Sequence, residues 1–582
     1  MTKGVTFLLV LAMLVFLASP VFAGDMVKHK MERQKLIRGD EPIPNAVYSP
    51  TPPRLITSSP GDTVGWTQYD YQENGSTGDR AALGIAGNVN ISWMNGLDIQ
   101  PDASGDRQVY FNCVDADGQQ AYPGEGEQIS EGERSGYTTI ANLSSDDAVV
   151  AYHRTDPTYE DFAAIDGLAC FGIFTTYSVP NLVNGLNAIW PYVTVDTSDN
   201  IHMVYTVPSE LGTGFGYTNS TDGGIEWRRS THVDDTECIS AILTASRVSD
   251  KVALVYTQDV GQQWRDNVVY YESEDGMTWD FVLDPINITE YGQGGDSLWA
   301  YTDVDAVYDY NDNLHVIWNA QYVFEDGSYW VGAFLYHYDT GSGTITLMAE
   351  SEYPDPDTCS EGAWQLPIAK MSIGVYQPID ALFAIYSYFP EDDCSAGGFS
   401  NSELYMQYSA DGGASWSEPE DLTNSHTPGC QAGDCDSDHW SSLAERVDDY
   451  LHIVYINDKD AGGLPQTEGG VTDNPVLYLA YPNPLTGIAD HGPVPTTFAL
   501  SQNYPNPFNA RTNINFELLQ KSEVELSVYD ITGARVAVLA NGEMEAGSHS
   551  VNWDAGNVAS GVYYYSLKAN GEESSRKMTL VK

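Results

Sequence analysis

Three histidines stand at one place in three similar stretches: His202 in WPYVTVDTSDNIHMVYTV (190–207), His315 in YTDVDAVYDYNDNLHVIWNA (301–320) and His452 in HWSSLAERVDDYLHIVYIND (439–458). Imidazoles at equivalent positions could ligate a metal. Packing between repeats, with one ring nitrogen satisfied, explains them more simply. The acidic turns DTSDN (196–200) and DYNDN (309–313) offer calcium-type oxygens but match no complete ligand spacing, so Asx turns are expected. Calcium is the one ion they could take, and no other cofactor is implied. A second set is aromatic. Tyr137, Trp190, Tyr192, Trp299, Tyr301, His439 and Trp440 open apolar stretches, with Asp296, Asp303 and Asp438 beside them. Flat rings next to carboxylates suit sugar stacking with hydrogen bonds to hydroxyls, and packing between repeats is the competing expectation. A separated carboxylate pair could hydrolyse a glycoside, but among 82 acidic residues some pair always lies close, so no catalytic residue is assigned.

The elements that must position these residues form a repeat. Each of the three stretches reads as a short strand, an Asp/Asn turn and an apolar strand. Weaker copies are ALGIAGNVNISWMNG (82–96), SGYTTIANLSSDDAVVAYHR (135–154), ISAILTASRVSDKVALVYTQD (239–259) and MSIGVYQPIDALFAIYSYF (371–389). Seven copies, with further strands after most of them, describe an all-β propeller of seven blades. Six blades would result if the first and last copies closed a single blade.

Ser220-Thr-Asp222-Gly-Gly224-Ile-Glu-Trp227 and Ser409-Ala-Asp411-Gly-Gly413-Ala-Ser-Trp416 fit S-x-D-x-G-x-x-W, and Ser273-Glu-Asp275-Gly-Met-Thr-Trp279 is one residue shorter. Asp accepts turn amides, Gly takes positive φ and Trp packs back on the blade. Over residues 61–481 the chain resembles the sialidase-like Asp-box (BNR) propeller group, in which this motif is structural. Sialidases use an arginine cluster whose first member sits in an R-I-P motif. No R-I-P occurs here, and Arg80, Arg107, Arg134 and Arg154 have unrelated settings. The resemblance therefore carries over no catalytic residue.

Of 582 residues, 26 are basic and 82 acidic. The span 61–496 alone keeps 12 basic and 69 acidic residues, whereas 24–60 holds six basic and four acidic. Such a surface repels nucleic acid and anionic lipid. Residues 1–23 read as a secretory signal: Lys3, an apolar run from Val5 to Ala18, and Val21-Phe22-Ala23 before cleavage. That run is too short to span a bilayer, and no later segment is apolar enough. An exported chain can form disulfides, and Cys430–Cys435 and Cys359–Cys394 are the favoured pairs among seven cysteines.

Residues 482–496 are a Pro/Gly-rich linker. Beyond it, 497–582 alternate as six or seven strands of a small Ig-like sandwich. The motifs are Asn503-Tyr504-Pro505-Asn506-Pro507-Phe508-Asn509, Val528-Tyr-Asp-Ile-Thr-Gly533, Ala546-Gly547 before Trp553, Ser560-Gly561-Val-Tyr563 and Lys577-Met-Thr-Leu-Val-Lys582. They resemble the type A C-terminal sorting domain of type IX secretion, related to flagellar hook-cap Ig-like domains. Ala510 stands where that family commonly has proline. The resemblance implies export from a Gram-negative bacterium, with the secretion machinery as partner. The combined reading is a cell-surface or extracellular protein whose propeller binds a glycan or protein; the alternative is a secreted glycan-active hydrolase or lyase.

Overall fold

The computed structural model describes residues 28–30, 36–38, 59–97, 106–486 and 498–580. Short breaks fall at 133, 156–158, 181–187, 208–213, 237–238, 262–263, 293–297, 326, 331, 353–358, 501–502, 504–507, 519–520, 531–534, 545–546, 557 and 570–571. The signal segment and Cys238 lie outside the described residues.

Among the described residues, regular structure is strand apart from two three-residue 3₁₀ turns. Seven antiparallel blades follow one another. Their innermost strands are Ala81–Leu83, Ser135–Asn142, Ile189–Val195, Ala241–Ala245, Leu298–Tyr308, Ile368–Tyr376 and Ser437–Leu443. The second strands, such as VALVYTQD (Val252–Asp259) and LHVIWNAQY (Leu314–Tyr322), are buried almost throughout. A blade is covered on both faces by its neighbours, which is why these strands read as continuous apolar runs rather than alternating ones.

The ring closes with chain from both ends of the propeller. Asp62–Thr67 pairs antiparallel with Asn474–Pro482 as the outer strand of the seventh blade. The first repeat copy keeps its own blade, so the count is seven.

Disulfides join Cys113–Cys170, Cys359–Cys394 and Cys430–Cys435. The first ties the third strand of blade 1 to the outer hairpin of blade 2 and was not anticipated from sequence.

The C-terminal module is a seven-stranded sandwich. One sheet holds Phe498–Leu500, Arg511–Leu518 and Gly547–Asp554; the other holds Ser522–Asp530, Arg535–Met544, Gly561–Ala569 and Glu572–Leu580. Its separate core includes Phe508, Phe516, Trp553, Tyr563 and Tyr565.

Candidate functional site

The channel at the propeller's centre is filled by the chain itself. The connection from the closing strand to blade 1, residues 68–80, runs through it and bonds to the inner strands of blades 2 to 7. Tyr192 Oη donates to the Ser76 carbonyl (3.0 Å), and the Ser76 N–H donates to Ser240 Oγ (2.9 Å). Ser76 Oγ donates to the Val304 carbonyl (2.6 Å), and Lys370 Nζ donates to the Gly75 carbonyl (2.6 Å). The Arg80 N–H reaches Ser442 Oγ (2.9 Å), and the Ile140 N–H reaches the Asp79 carbonyl (2.9 Å). A Cβ on Gly75 would stand 2.5 Å from the Ile239 carbonyl oxygen, so only glycine fits there.

At the end where the inner strands begin, four of them carry the same irregularity. Tyr137, Trp190, Lys370 and Trp440 have φ of 54°, 55°, 51° and 57°. Each lies within a register shift: Gly136/Thr139, Ile189/Tyr192, Ala369/Ser372 and His439/Ser442. A bulged, left-handed residue re-aims its side chain at a cost of about 1–2 kcal/mol. Four at one position build a common feature, the channel mouth.

Lys370 Nζ lies 2.9 Å from Asp303 and 5.0 Å from the Trp440 ring centroid. Trp440 also meets Tyr71 edge-on at 5.2 Å. Tyr137 stacks on His153 at 5.0 Å, and the Arg107 guanidinium sits 5.1 Å from both the Tyr69 and Tyr137 rings. Burial pushes the Glu73 carboxyl up to about 8, although Arg80 stands 3.9 Å away. Burial, reinforced by Arg107, pushes the His153 imidazole down to about 3. Among the described residues, Arg107 Nη1 and Nη2, Trp190 Nε1 and His439 Nε2 are buried without a hydrogen-bond partner.

The mouth is covered by the N-terminal extension. Ile37 is fully buried in the apolar cluster that holds Tyr69, Tyr71, Tyr137, Trp190, Trp364 and Trp440. Its N–H donates to Asn74 Oδ1 and its carbonyl accepts from Asn74 Nδ2, both at 2.8 Å. His153 Nε2 lies 3.2 Å from the Arg38 carbonyl, while Nδ1 accepts the Trp190 N–H at 3.1 Å. In a neutral ring that leaves Nε2 as the donor.

Of the sequence-derived rim, Tyr137, Trp190 and Trp440 meet in this cluster. Trp299 and Tyr301 do not: Trp299 lies under Arg265, and Tyr301 packs in the core between blades 5 and 6. Asp303 pairs with Lys370, Asp438 accepts from Ser59, Ser425 and Asn457, and Asp296 lies outside the described residues. Sequence reasoning missed Arg107, Lys370 and residues 36–38. Lys370, one of three lysines within 61–496, was the available signal.

The three equivalent histidines are tied within their own blades; His202 and His452 engage both ring nitrogens, whereas among the described residues His315 Nε2 has no hydrogen-bond partner and only stands near Asp309. His202 bridges Asp196 Oδ2 (3.2 Å) and Tyr217 Oη (2.7 Å), and His452 bridges Asp448 Oδ1 (3.1 Å) and Tyr478 Oη (2.6 Å). His315 stands 3.3 Å from Asp309 and 2.9 Å from His337 Nε2. The turn carboxylates are spent on these rings and on amides: Asp196 also accepts from Ser198 and Asn200, and Asp309 from Asn311 and Asn313. Elsewhere, Asp393, Glu403 and His426 bring three potential ligand atoms within 4.8 Å of one another.

The Ser–Asp–Gly–Trp hairpins sit at the opposite end. Ser220 Oγ donates to Asp222, Ser273 Oγ to Asp275 and Ser409 Oγ to Asp411; Ser220 Oγ and Ser409 Oγ accept the Gly224 and Gly413 amides. Each tryptophan leans on the preceding blade: Trp227 joins the core between blades 2 and 3, Trp279 meets Tyr217 at 5.0 Å and Trp416 meets His337 at 5.3 Å.

Residues 502–581 match the secretion system C-terminal sorting domain family. The chain is thus exported through type IX secretion to the cell surface or extracellular space. Of the motif residues, Phe508 packs on Trp553 (5.5 Å) and Trp553 on Tyr563 (5.9 Å), Gly561 opens the sixth sandwich strand, and Lys577 lies in the last one. Tyr504, Pro505, Asn506, Pro507 and Gly533 lie outside the described residues. No curated protein matches the chain. Among solved structures it is similar to an α-L-arabinanase of Penicillium chrysogenum (11% identity, 59% of this chain and 92% of that one, TM-score 0.39). It is also similar to the polysaccharide lyase Uly1 (9%, 78% and 99%, TM-score 0.42) and an α-L-arabinofuranosidase of Fusarium graminearum (12%, 59% and 92%, TM-score 0.37). None of these values speaks to the chemistry of this chain. No helix among the described residues is long and apolar enough to cross a membrane.

Proposed function

We propose that the propeller is an extracellular binding module and that its site is the channel mouth, with a carbohydrate as ligand. The observation that carries this reading is the convergence of Tyr137, Trp190, Lys370 and Trp440, each held in a left-handed bulge. Strain of this kind, repeated at one position and one end, persists where a surface has a task. Aromatic faces with buried polar atoms still free, on Arg107, Trp190 and His439, suit a ligand that stacks and hydrogen-bonds at once. The channel-filling connection removes any through-passage, so the ligand ends at the mouth. A secretory signal at 1–23, cleaved after Ala23, belongs to the same reading.

The test is equilibrium binding to an immobilised glycan panel, using the chain with and without residues 24–38, alongside fluorophore release from model glycosides. Saturable binding without turnover, weakened by Trp440→Ala in a protein of unchanged circular dichroism, is expected. Binding by neither form would refute the reading. Turnover would replace it with the hydrolase or lyase alternative.

A further inference from the structure

We infer that the N-terminal segment is a removable plug: residues 36–38 close the channel mouth, residues 28–30 clamp the segment to blade 5, and ligand enters only after they leave. The inference rests on the channel mouth being the binding site. Lys28–Lys30 pairs as a short antiparallel strand with Ser328–Trp330, and Ile37 then occupies the mouth.

The described hold is suited to release. At the mouth it includes buried Ile37, half-buried Leu36 against the same apolar cluster, and three hydrogen bonds made by main-chain atoms of Ile37 and Arg38 to Asn74 and His153. Apolar burial of this extent and main-chain hydrogen bonds exchanged for bonds to water make a hold that a competing ligand can match. Charge adds to it. Residues 28–38 carry Lys28, Lys30, Arg33, Lys35 and Arg38 against Glu32 alone, whereas the propeller span carries 12 basic and 69 acidic residues. A basic strip on an acidic disc is attracted without needing specific partners, and salt weakens it.

The plug also describes what it excludes. A ligand taking its place must offer a donor to Asn74 Oδ1, acceptors to Asn74 Nδ2 and His153 Nε2, and an apolar patch where the Ile37 side chain lay. Neighbouring hydroxyls and the apolar face of a sugar ring meet those demands. Because burial, reinforced by Arg107, holds the His153 imidazole down at about 3, protonation of that ring is not what opens the plug. Removal falls to proteolysis at the basic residues or to competition.

The deciding experiment uses a synthetic peptide of residues 28–38 titrated into the chain lacking 24–38, followed by calorimetry at two salt concentrations. Saturable binding, weaker at the higher salt and weaker by about tenfold or more for the Ile37→Asp peptide, is expected. Absent binding, or equal binding by the two peptides, overturns the inference. If the shortened chain does not fold, full-length Ile37→Asp replaces it, and trypsin is expected to cleave after Arg38 faster than in the parent; equal rates overturn the inference. Glycan binding separates the two readings. Equal affinity with and without the segment sinks the plug but keeps the site, whereas peptide binding without any glycan binding sinks the site.

Discussion

Lys370 of blade 6 places its ammonium 2.9 Å from the Asp303 carboxylate of blade 5, and both side chains are shut off from solvent. The same ammonium donates to the Gly75 carbonyl, so one cation joins two blades to the channel-filling connection. The geometry explains why a lysine tolerates a φ of 51°: the bulge is what turns it inward.

Removing one member of such a pair leaves a buried charge unsatisfied. Asp303→Asn is expected to lower unfolding free energy by about 3–5 kcal/mol, while Lys370→Met combined with Asp303→Leu recovers much of the loss. Chemical denaturation monitored by fluorescence checks this. A double variant as unstable as the sum of the singles would show that the pair does not act as a unit.

A second link between blades runs through an aromatic pair. Trp279 of the blade 4 hairpin lies on Tyr217 of blade 3, whose hydroxyl engages His202, which in turn engages Asp196. Trp279→Ala should cost about 3 kcal/mol and Tyr217→Phe about 1 kcal/mol. Because the rings touch, Trp279→Ala combined with Tyr217→Leu, which removes the second ring, should depart from the sum of those two single variants by about 0.5–1.5 kcal/mol. Strict additivity in thermal and urea unfolding would dissociate the hairpin from the blade it leans on.

Buried carboxyls set the dependence of stability on pH. Burial pushes Glu73 up to about 8 and Glu361 up to about 7, and burial with the nearby Asp436 charge pushes Asp438 up to about 7. The unfolded values are about 4. Between about pH 4 and 8 the folded chain therefore holds more protons than the unfolded one, so stability falls as pH rises. Asp196 acts in the opposite sense. Burial would raise it, but hydrogen bonds from His202 and Asn200 hold it at about 2, so its contribution is lost as pH drops from about 4 towards 2. Scanning calorimetry should place maximal Tm near pH 4, with the value at pH 5 above that at pH 8, and Glu73→Gln should flatten the alkaline limb. A Tm that rises from pH 5 to pH 8 contradicts the assignment.

The parts of this architecture that were legible from sequence are the local ones. Asp222, Gly224 and Trp227 encode a hairpin within eight residues, and the Asp-to-His spacing recurs from Asp196/His202 to Asp309/His315. Seven repeats gave seven blades because each blade is contiguous, apart from the closing strand. The mouth was only half legible. Residues 72–80, QENGSTGDR, have the composition of a surface loop, yet Gln72 to Thr77 and Arg80 are buried, with Gln72 bonded to the Tyr69 and Met94 carbonyls, Asn74 to Ile37, Ser76 to Ser240 and Val304, and Arg80 to Thr77 and Gln72. Nothing local marks Leu36-Ile37, an apolar pair in a basic stretch, as the cover of a site built by residues a hundred or more positions away. Cys113 and Cys170 are likewise joined only by the adjacency of blades 1 and 2.

The sorting module is physically separable from its cargo. Its core shares no residue with the propeller clusters, and among the described residues the one ion pair between the two is Arg576 with Asp62 at 3.2 Å. An address read by the secretion machinery should then depend on the module's own fold. Deleting 497–582 is expected to leave the propeller in the periplasm, with its thermal transition intact. Trp553→Ala is the sharper probe. The side chain is 5% exposed between Phe508 and Tyr563, and its loss should cost about 3–5 kcal/mol, much of what a domain of this size has. Cell fractionation should show the same periplasmic retention for this variant as for the deletion. Normal surface delivery of a Trp553→Ala protein whose module is unfolded would mean that a linear segment, and not the folded sandwich, is what the machinery reads.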